Sequence, residues 1–419
     1  MLEKIKTLII TIIQFIQATN IIRRALPIKS EKGLIIIPCD PESAIGSRGD
    51  EAMITGVICN FRERYPNENI SIVVQGEIAR NYIENAKLDD NIDVIESWNF
   101  AYPFERIYRS VINKCPREVV LIGADCIDGA YAPNLSLELL LLYAACKKAS
   151  IPTYFTGFSY NQRPYWFINK AIKWLGLKDL PLRDNVSLAR YQSKTGMQGA
   201  LVADVAFMLK PNTDFKDYQF VRDWVSDRHE NQDIVIAFNF HPMLKQYNSL
   251  AEIEQDAHIM ARNIFTILNH NDNVSILLLP HDDRNRINDG TMLNVIYNDL
   301  KVDFNADRVR YLKEVPRASQ LKAIASLIDG VVSSRMHLAI AALGSGVPVM
   351  VADYQGKFEG LFNHFNFPHE YILPVSKFCS REFTSYTNQF IAQLSELRST
   401  VCSNLPQVLK LAEKNFHQL

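Results

Sequence analysis

The sequence predicts an α/β protein made of two doubly wound parallel-sheet domains that face each other across a cleft. Two observations carry that prediction. From residue 33 onward, short β-branched runs alternate with longer helix-period stretches, and the runs are continuously apolar, as in strands buried on both faces. The alternation then stops at a polar stretch, "KPNTDFKDYQFVRDWVSDRHENQ" (210–232), and restarts at "DIVIAFNF" (233–240). A length of 419 residues fits two domains better than one core.

In the first half, "GLIIIPCD" (33–40), "ISIVVQ" (70–75), "REVVLIG" (117–123), "IPTYFTG" (151–157) and "GALVADVAFML" (199–209) read as strands. Helices are expected over 50–65 and over "LSLELLLLYAACKKAS" (135–150), which is apolar nearly all round and so packs between sheet and neighbours. The second half places strands at 233–240, 273–279, 307–312, 330–333 and 347–351, with helices near 250–270, 289–300, 317–328 and 335–344. These connections are long enough for right-handed crossovers. The expected domains are an apolar or amphipathic helix over 1–30, a Rossmann-like acceptor-side domain over 31–212 and a Rossmann-like donor-side domain over 228–378. A helical region over 380–419 is expected to pack back on the body.

Composition narrows the function. Forty-five basic and 46 acidic residues leave a net charge of -1, with no Lys/Arg stripe, so nucleic acid is not expected as a partner. Seven cysteines lie far apart, without a C-x-x-C pair or zinc-finger spacing, which points to a reducing, cytoplasmic setting. The apolar run from Leu8 to Ile22 is interrupted by Thr11, Gln14, Gln17, Thr19 and Asn20. It falls short of the ~20 apolar residues a span needs and lacks an A-x-A cleavage pattern. Two readings of residues 1–24 stay open: a helix packed on the protein itself, or an interfacial helix with basic ends at the inner face of a membrane.

Ligands of doubly wound sheets collect at the carboxyl ends of strands, so the polar residues that follow each strand are the candidates. In "PCDPESAIGSRGDEAMITG", Asp50 and Glu51 open a helix whose free amides suit an anion, although acids there also serve as caps. No G-x-G-x-x-G or G-x-x-x-x-G-K-[ST] pattern occurs, which argues against dinucleotide binding and excludes a P-loop. In "LPLRDNVSLARYQSKTG" (180–196), Arg183 offers a fork suited to carboxylate or phosphate, or else pairs structurally with Asp184 or Asp204; Asn185 or Ser187 is the expected helix cap. In "LLLPHDDRNRINDG", His281 and Asp282 follow a strand and suit proton transfer, or form a solvated turn. In "VVSSRMHLAIAALGSGVPVMVADYQGK" (331–357), Ser333, Ser334, Arg335 and His337 surround the start of a thin, alanine-rich helix, and Tyr354 and Lys357 follow the next strand. That convergence reads as a small-anion site.

The order of these motifs resembles the polysaccharide pyruvyl transferase family over about residues 33–375. It rests on "GDEAMITG", "LRDNVSLARYQSKTG" with "VADVAFML", "PHD" and "SSRMHLAIAALGSGVPVMVADYQGK". The resemblance implies a GT-B-like fold, no metal and no dissociable cofactor, with phosphoenolpyruvate as co-substrate. It implies transfer of pyruvate as a ketal to a sugar of a cell-surface polysaccharide or its precursor, the acceptor being a sugar or a lipid-linked oligosaccharide. Arg183, Arg335 and His337 match the residues that hold the donor's carboxylate and phosphate. His337 is the first candidate for proton transfer, and Asp50, Glu51, His281 and Asp282 are candidate acceptor-side bases. This chain departs from the expected pattern at "GADCIDGAY", where Ala124 and Asp125 stand in place of a glycine-rich turn. The alternatives are a GT-B glycosyltransferase or sugar-nucleotide epimerase, which also hold phosphates at such a helix start, and a non-catalytic glycan-assembly protein.

Overall fold

A computed structural model describes residues 2–99, 103–242, 244–284, 286–304, 307–353 and 356–416, with backbone only for 2–10. The chain divides into two compact units, one formed by residues 1–46, 53–208 and 409–419, the other by 47–52 and 209–408.

The first unit begins with α1 (Leu2–Arg24) and continues β1 (Leu34–Ile37), α2 (Arg48–Arg64), β2 (Ile70–Val74), α3 (Gly76–Ala86), β3 (Ile92–Glu96), α4 (Phe104–Ile112), β4 (Glu118–Leu121), α5 (Pro133–Lys148) and β5 (Thr153–Phe155). Its sheet is parallel in the order β3-β2-β1-β4-β5. Every residue of β1, β2, β4 and β5 is buried, as continuous apolar runs require when helices cover both faces. After α6 (Trp166–Trp174), strands β6 (Leu180–Leu182) and β7 (Gly199–Leu201) flank α7 (Asn185–Thr195) as a small parallel pair.

Two expectations change here. The run 199–209 is not one strand: pairing ends at Leu201, and the carboxylate of Asp204 accepts the Ala206 amide and turns the chain into a 3-10 helix at Val205–Met208. The cap of α7 is Asp184, not Asn185 or Ser187, and it accepts from both the amide and the hydroxyl of Ser187.

Helix α1 packs on the first unit through a mixed face: Ala18 belongs to that unit's core, and Phe15, Ile21 and Ile22 pack against it. Gln14 and Ala18 are buried, the Gln17 side-chain Oε1 accepts the Phe104 amide at 3.2 Å, and the Phe15 ring lies 5.3 Å from that of Trp174. Among the described residues no helix is long and apolar enough to cross a membrane.

The second unit runs α8 (Lys216–Glu230), β8 (Ile234–Asn239), α9 (Leu250–His270), β9 (Val274–Leu278), α10 (Asp289–Leu300), β10 (Val309–Tyr311), α11 (Ala318–Ala325), β11 (Gly330–Ser333), α12 (Met336–Leu343) and β12 (Val349–Asp353). It closes with α13 (Phe358–His364), β13 (Ile372–Pro374), α14 (Val375–Phe378), α15 (Glu382–Ala392) and α16 (Leu394–Glu413), whose last residues belong to the first unit. The polar stretch 210–232 is mostly α8: Val221, Trp224 and Val225 turn inward and the charged residues face out. The six-stranded sheet is parallel in the order β10-β9-β8-β11-β12-β13. Strand order reverses at β8, so the crevice outside the carboxyl ends of β8, β9 and β11 is where a ligand is expected.

Candidate functional site

Three strand ends and one helix start of the second unit meet in this crevice. Strand β11 is wholly buried and begins at Gly330, where a Cβ would fall 2.9 Å from side-chain atoms of Phe390 and Leu394. At its other end, the Ser333 hydroxyl accepts the Arg335 amide at 2.9 Å and donates to Asn239 of β8 at 3.3 Å. This turn places Arg335 at the N-cap of α12. Residues Leu338–Leu343 of that helix are all buried; its alanines let it lie close to the sheet.

Arg335 does not stand alone. Its guanidinium hydrogen-bonds to Asp289 and approaches Asp282 at 3.4 Å. Asp289, at the first position of α10 and with no exposed surface, also accepts the Asn239 amide and the His281 backbone N–H, each at 2.9 Å. One carboxylate thus ties β8, β9 and β11 together. Burial pushes its carboxyl above the usual range, with Arg335 opposing. Asp282 behaves oppositely: burial raises it, but the hydrogen bond from Arg284 and the charge of Arg335 outweigh burial and hold it low. His281 is held well below the ordinary histidine value, first by burial and then by Arg335. Burial and Arg335 thus favour the neutral imidazole, which can donate or accept a hydrogen bond. His241, after β8, is pushed down to about 3 by burial and Arg335, and its Nε2 lies 3.1 Å from the Ser334 carbonyl.

The first turn of α2 completes the group. Gly49 lies against the His337 ring, where a Cβ would come within 2.9 Å of Cε1. Asp50 is engaged as a cap: Ser47 Oγ donates to its carboxylate at 2.6 Å and accepts its amide at 2.9 Å. Glu51 is also committed. It is 1% exposed, receives Arg48 at 3.2 Å and the Ala318 amide of α11 at 2.9 Å, and lies 3.5 Å from Arg317. Burial lifts its carboxyl above the usual range. Both acids act here as helix-terminal fasteners, the competing reading of residues in a first turn.

Three further candidates have their own surroundings. Arg183, in the first unit, is buried and bridged to Asp204 at 3.1 Å, the structural pairing that stood beside its anion-binding reading. Lys357 caps α13, and its amide and that of Gly356 donate to Asp353. Tyr354 falls outside the described residues. Where glycine was expected, Ala124 takes a left-handed φ of 46°, so the backbone keeps a shape that glycine adopts at less cost.

Sequence reasoning missed Asn239, His241, Asp289 and Arg48. The first two directly end a predicted strand in "FNFHP" and follow the rule that selected the others; Asp289 in "INDG" looks like an ordinary helix cap. Within this set, His281 Nδ1, Ser334 Oγ and Arg335 Nε are buried and make no hydrogen bond among the described residues. Buried polar atoms rarely stay unpaired, so these are the groups a polar ligand would engage.

Comparison with known proteins bears on the fold and the family. Among curated protein sequences none matches the chain. Similar solved structures include a UDP-GlcNAc 2-epimerase from Neisseria meningitidis bound to UDP-GlcNAc, at 10% identity over 93% of this chain and 100% of that one, with a TM-score of 0.56. Another UDP-GlcNAc 2-epimerase, from Methanocaldococcus jannaschii, is 12% identical over 86% and 92%, with a TM-score of 0.53. The α,α-trehalose 6-phosphate synthase of Burkholderia multivorans is 10% identical over 92% and 98%, with a TM-score of 0.51. At such identities the likeness is one of fold, and that fold is GT-B-like. The polysaccharide pyruvyl transferase family model matches residues 49–356, a span that runs from the Gly49 contact through every strand end described above. By that match, over well more than half of its length, the chain belongs to the polysaccharide pyruvyl transferase family.

Proposed function

We propose that this chain transfers the pyruvyl group of phosphoenolpyruvate to two hydroxyls of one sugar in a cell-surface polysaccharide or its precursor, releasing phosphate. The family match over residues 49–356 carries this reading, because it contains the whole Arg335, His337 and His281 group. Atoms balance as follows. The donor methylene takes up one proton and becomes a methyl group. The first sugar hydroxyl bonds to C2 and gives up its proton. The C2–O bond to phosphate breaks, and the second hydroxyl closes the ketal and gives up the second proton, which leaves with phosphate.

In this reading Arg335 and Ser334 bind the donor's anionic groups, and a cation fixed beside the departing phosphate stabilises the charge that develops there. Asp289 and Asp282 hold the guanidinium in place before substrate arrives. His337, kept in position by Gly49, handles the proton. His281, held neutral, contributes a hydrogen bond.

The test is incubation with phosphoenolpyruvate and a panel of nitrophenyl and lipid-linked hexosides, monitored for phosphate release and a pyruvate mass increment. Both are expected, and both should fall in Arg335→Lys, which keeps the charge and loses the fork. Thermal stabilisation by uridine diphosphate but not by phosphoenolpyruvate would instead favour a nucleotide-sugar enzyme.

A further inference from the structure

We propose that the first unit docks on an anionic lipid bilayer through a surface formed by α1 and α6. The orientation of α1 motivates this. Its inward side carries Phe15, Ala18, Ile21 and Ile22 together with the buried Gln14, yet Ile12, Ile13 and Ile16 are 49%, 49% and 53% exposed. An amphipathic helix that packed only against its own protein would keep its outward face polar. This one carries three isoleucines there.

Helix α6 continues the surface. Trp166 and Trp174 are 59% and 53% exposed, with exposed Lys170 and Lys173 between them, and Lys170 Nζ lies 4.8 Å from the Trp166 ring centroid. A groove of about 500 Å³ lies between the two helices. It shares Thr19, Arg23 and Trp174 with a cavity of about 1030 Å³. That cavity is lined by Arg23, Lys147, Lys148, Lys178 and Lys414 against a single acid, Asp179.

Charge complementarity selects the occupant. Exposed tryptophans and isoleucines interleaved with basic side chains match the interfacial zone of a bilayer, where apolar groups enter the acyl boundary and cations meet anionic headgroups. A soluble anion would leave the isoleucines uncovered. The surface contains none of the residues assigned to pyruvyl transfer, so it stands or falls separately from that assignment.

The experiment is co-sedimentation of the full chain with vesicles of phosphatidylcholine alone or of phosphatidylcholine with phosphatidylglycerol, at low and high salt, followed by tryptophan emission. The expected result is pelleting with anionic vesicles only, a salt-sensitive blue shift, and about a tenfold or greater loss of affinity in Ile12→Asp/Ile16→Asp. Lys170→Glu should cost about fivefold or more. Phosphate release with a soluble hexoside and the circular dichroism spectrum should not change in these variants. Equal pelleting with both vesicle types, or none with either, would overturn the proposal. So would a concentration-dependent dimer in sedimentation velocity that the aspartates dissolve, because a second copy would then cover the face.

Discussion

Gly49 and His337 touch with no space left for a side chain: a methyl group on Gly49 would lie 2.9 Å from Cε1 of the ring and closer still to Nδ1. Gly49 is in the first turn of α2, where alanine is intrinsically the better helix former by about 1 kcal/mol. Gly49→Ala should therefore fold normally while displacing the imidazole. A shift of this kind is expected to lower kcat/KM roughly 10²-fold with little change in Tm. Unchanged kinetics would mean that the ring position does not matter to turnover.

Asp289 is the hub that a sequence cannot mark. Removing its carboxylate in Asp289→Ala leaves Arg335 largely buried with only Asp282 nearby, at 3.4 Å. The expected cost is about 3–5 kcal/mol, read from the shift in urea midpoint at constant slope.

Arg183 and Asp204 form a buried pair in the first unit, each side chain 3% exposed. Either single alanine substitution should destabilise by about 3–5 kcal/mol because it breaks a buried ion pair. The double change Arg183→Met/Asp204→Leu should recover most of that loss. If it does not, the arginine has work beyond the pair.

Glu138 on α5 gives a pH dependence of stability. Burial pushes its carboxyl up to about 8, against the Gln14 amide, which favours the charged form. The folded state keeps the proton where the unfolded chain has lost it. The associated stability is complete below about pH 4.5 and is lost as pH rises toward 8. Glu138→Gln should flatten that decline, with little effect at pH 5 and a higher Tm at pH 8. Each recovered kcal/mol corresponds to about 2–4 °C in a domain of this size.

His241 and His281 act in the other direction. Both are held neutral in the folded second unit by burial and Arg335, so the unfolded chain binds their protons first. Stability from this source is present above about pH 6.5 and is lost as pH falls toward about 3, the value to which His241 is pushed. The acid limb of a Tm profile should begin near pH 6.5, above the carboxylate range, and His241→Asn should make it shallower.

The central strands were legible because a strand covered on both faces is a nearly continuous apolar run, as "LIII" is throughout and "ISIVV" is apart from Ser71. β3 escaped notice for the converse reason: "IDVIE" is a half-exposed edge strand whose polar residues break the run. α3, α4 and α6 were missed because their apolar faces are short and flanked by charge. In the site, residue type and place after a strand found Arg335, His337, His281 and Asp282. Their partners could not be read, because whether an aspartate at a helix start caps its own turn or reaches another strand depends on packing. The same ambiguity applies to Asp50 and Glu51, for which sequence offers both an anion site and a helix cap; the structure adds the contacts of a cap.

Asn415 has one further consequence. Its amide oxygen accepts the Gly157 N–H, and its nitrogen donates to the Ala203 carbonyl, so a residue made after the entire second unit seals two loops of the first. On the ribosome the amino-terminal sheet can collapse early, yet it lacks this last seal until translation is nearly finished. A fragment that stops at residue 208 should therefore expose those two loop groups and be prone to clumping, however complete its strands.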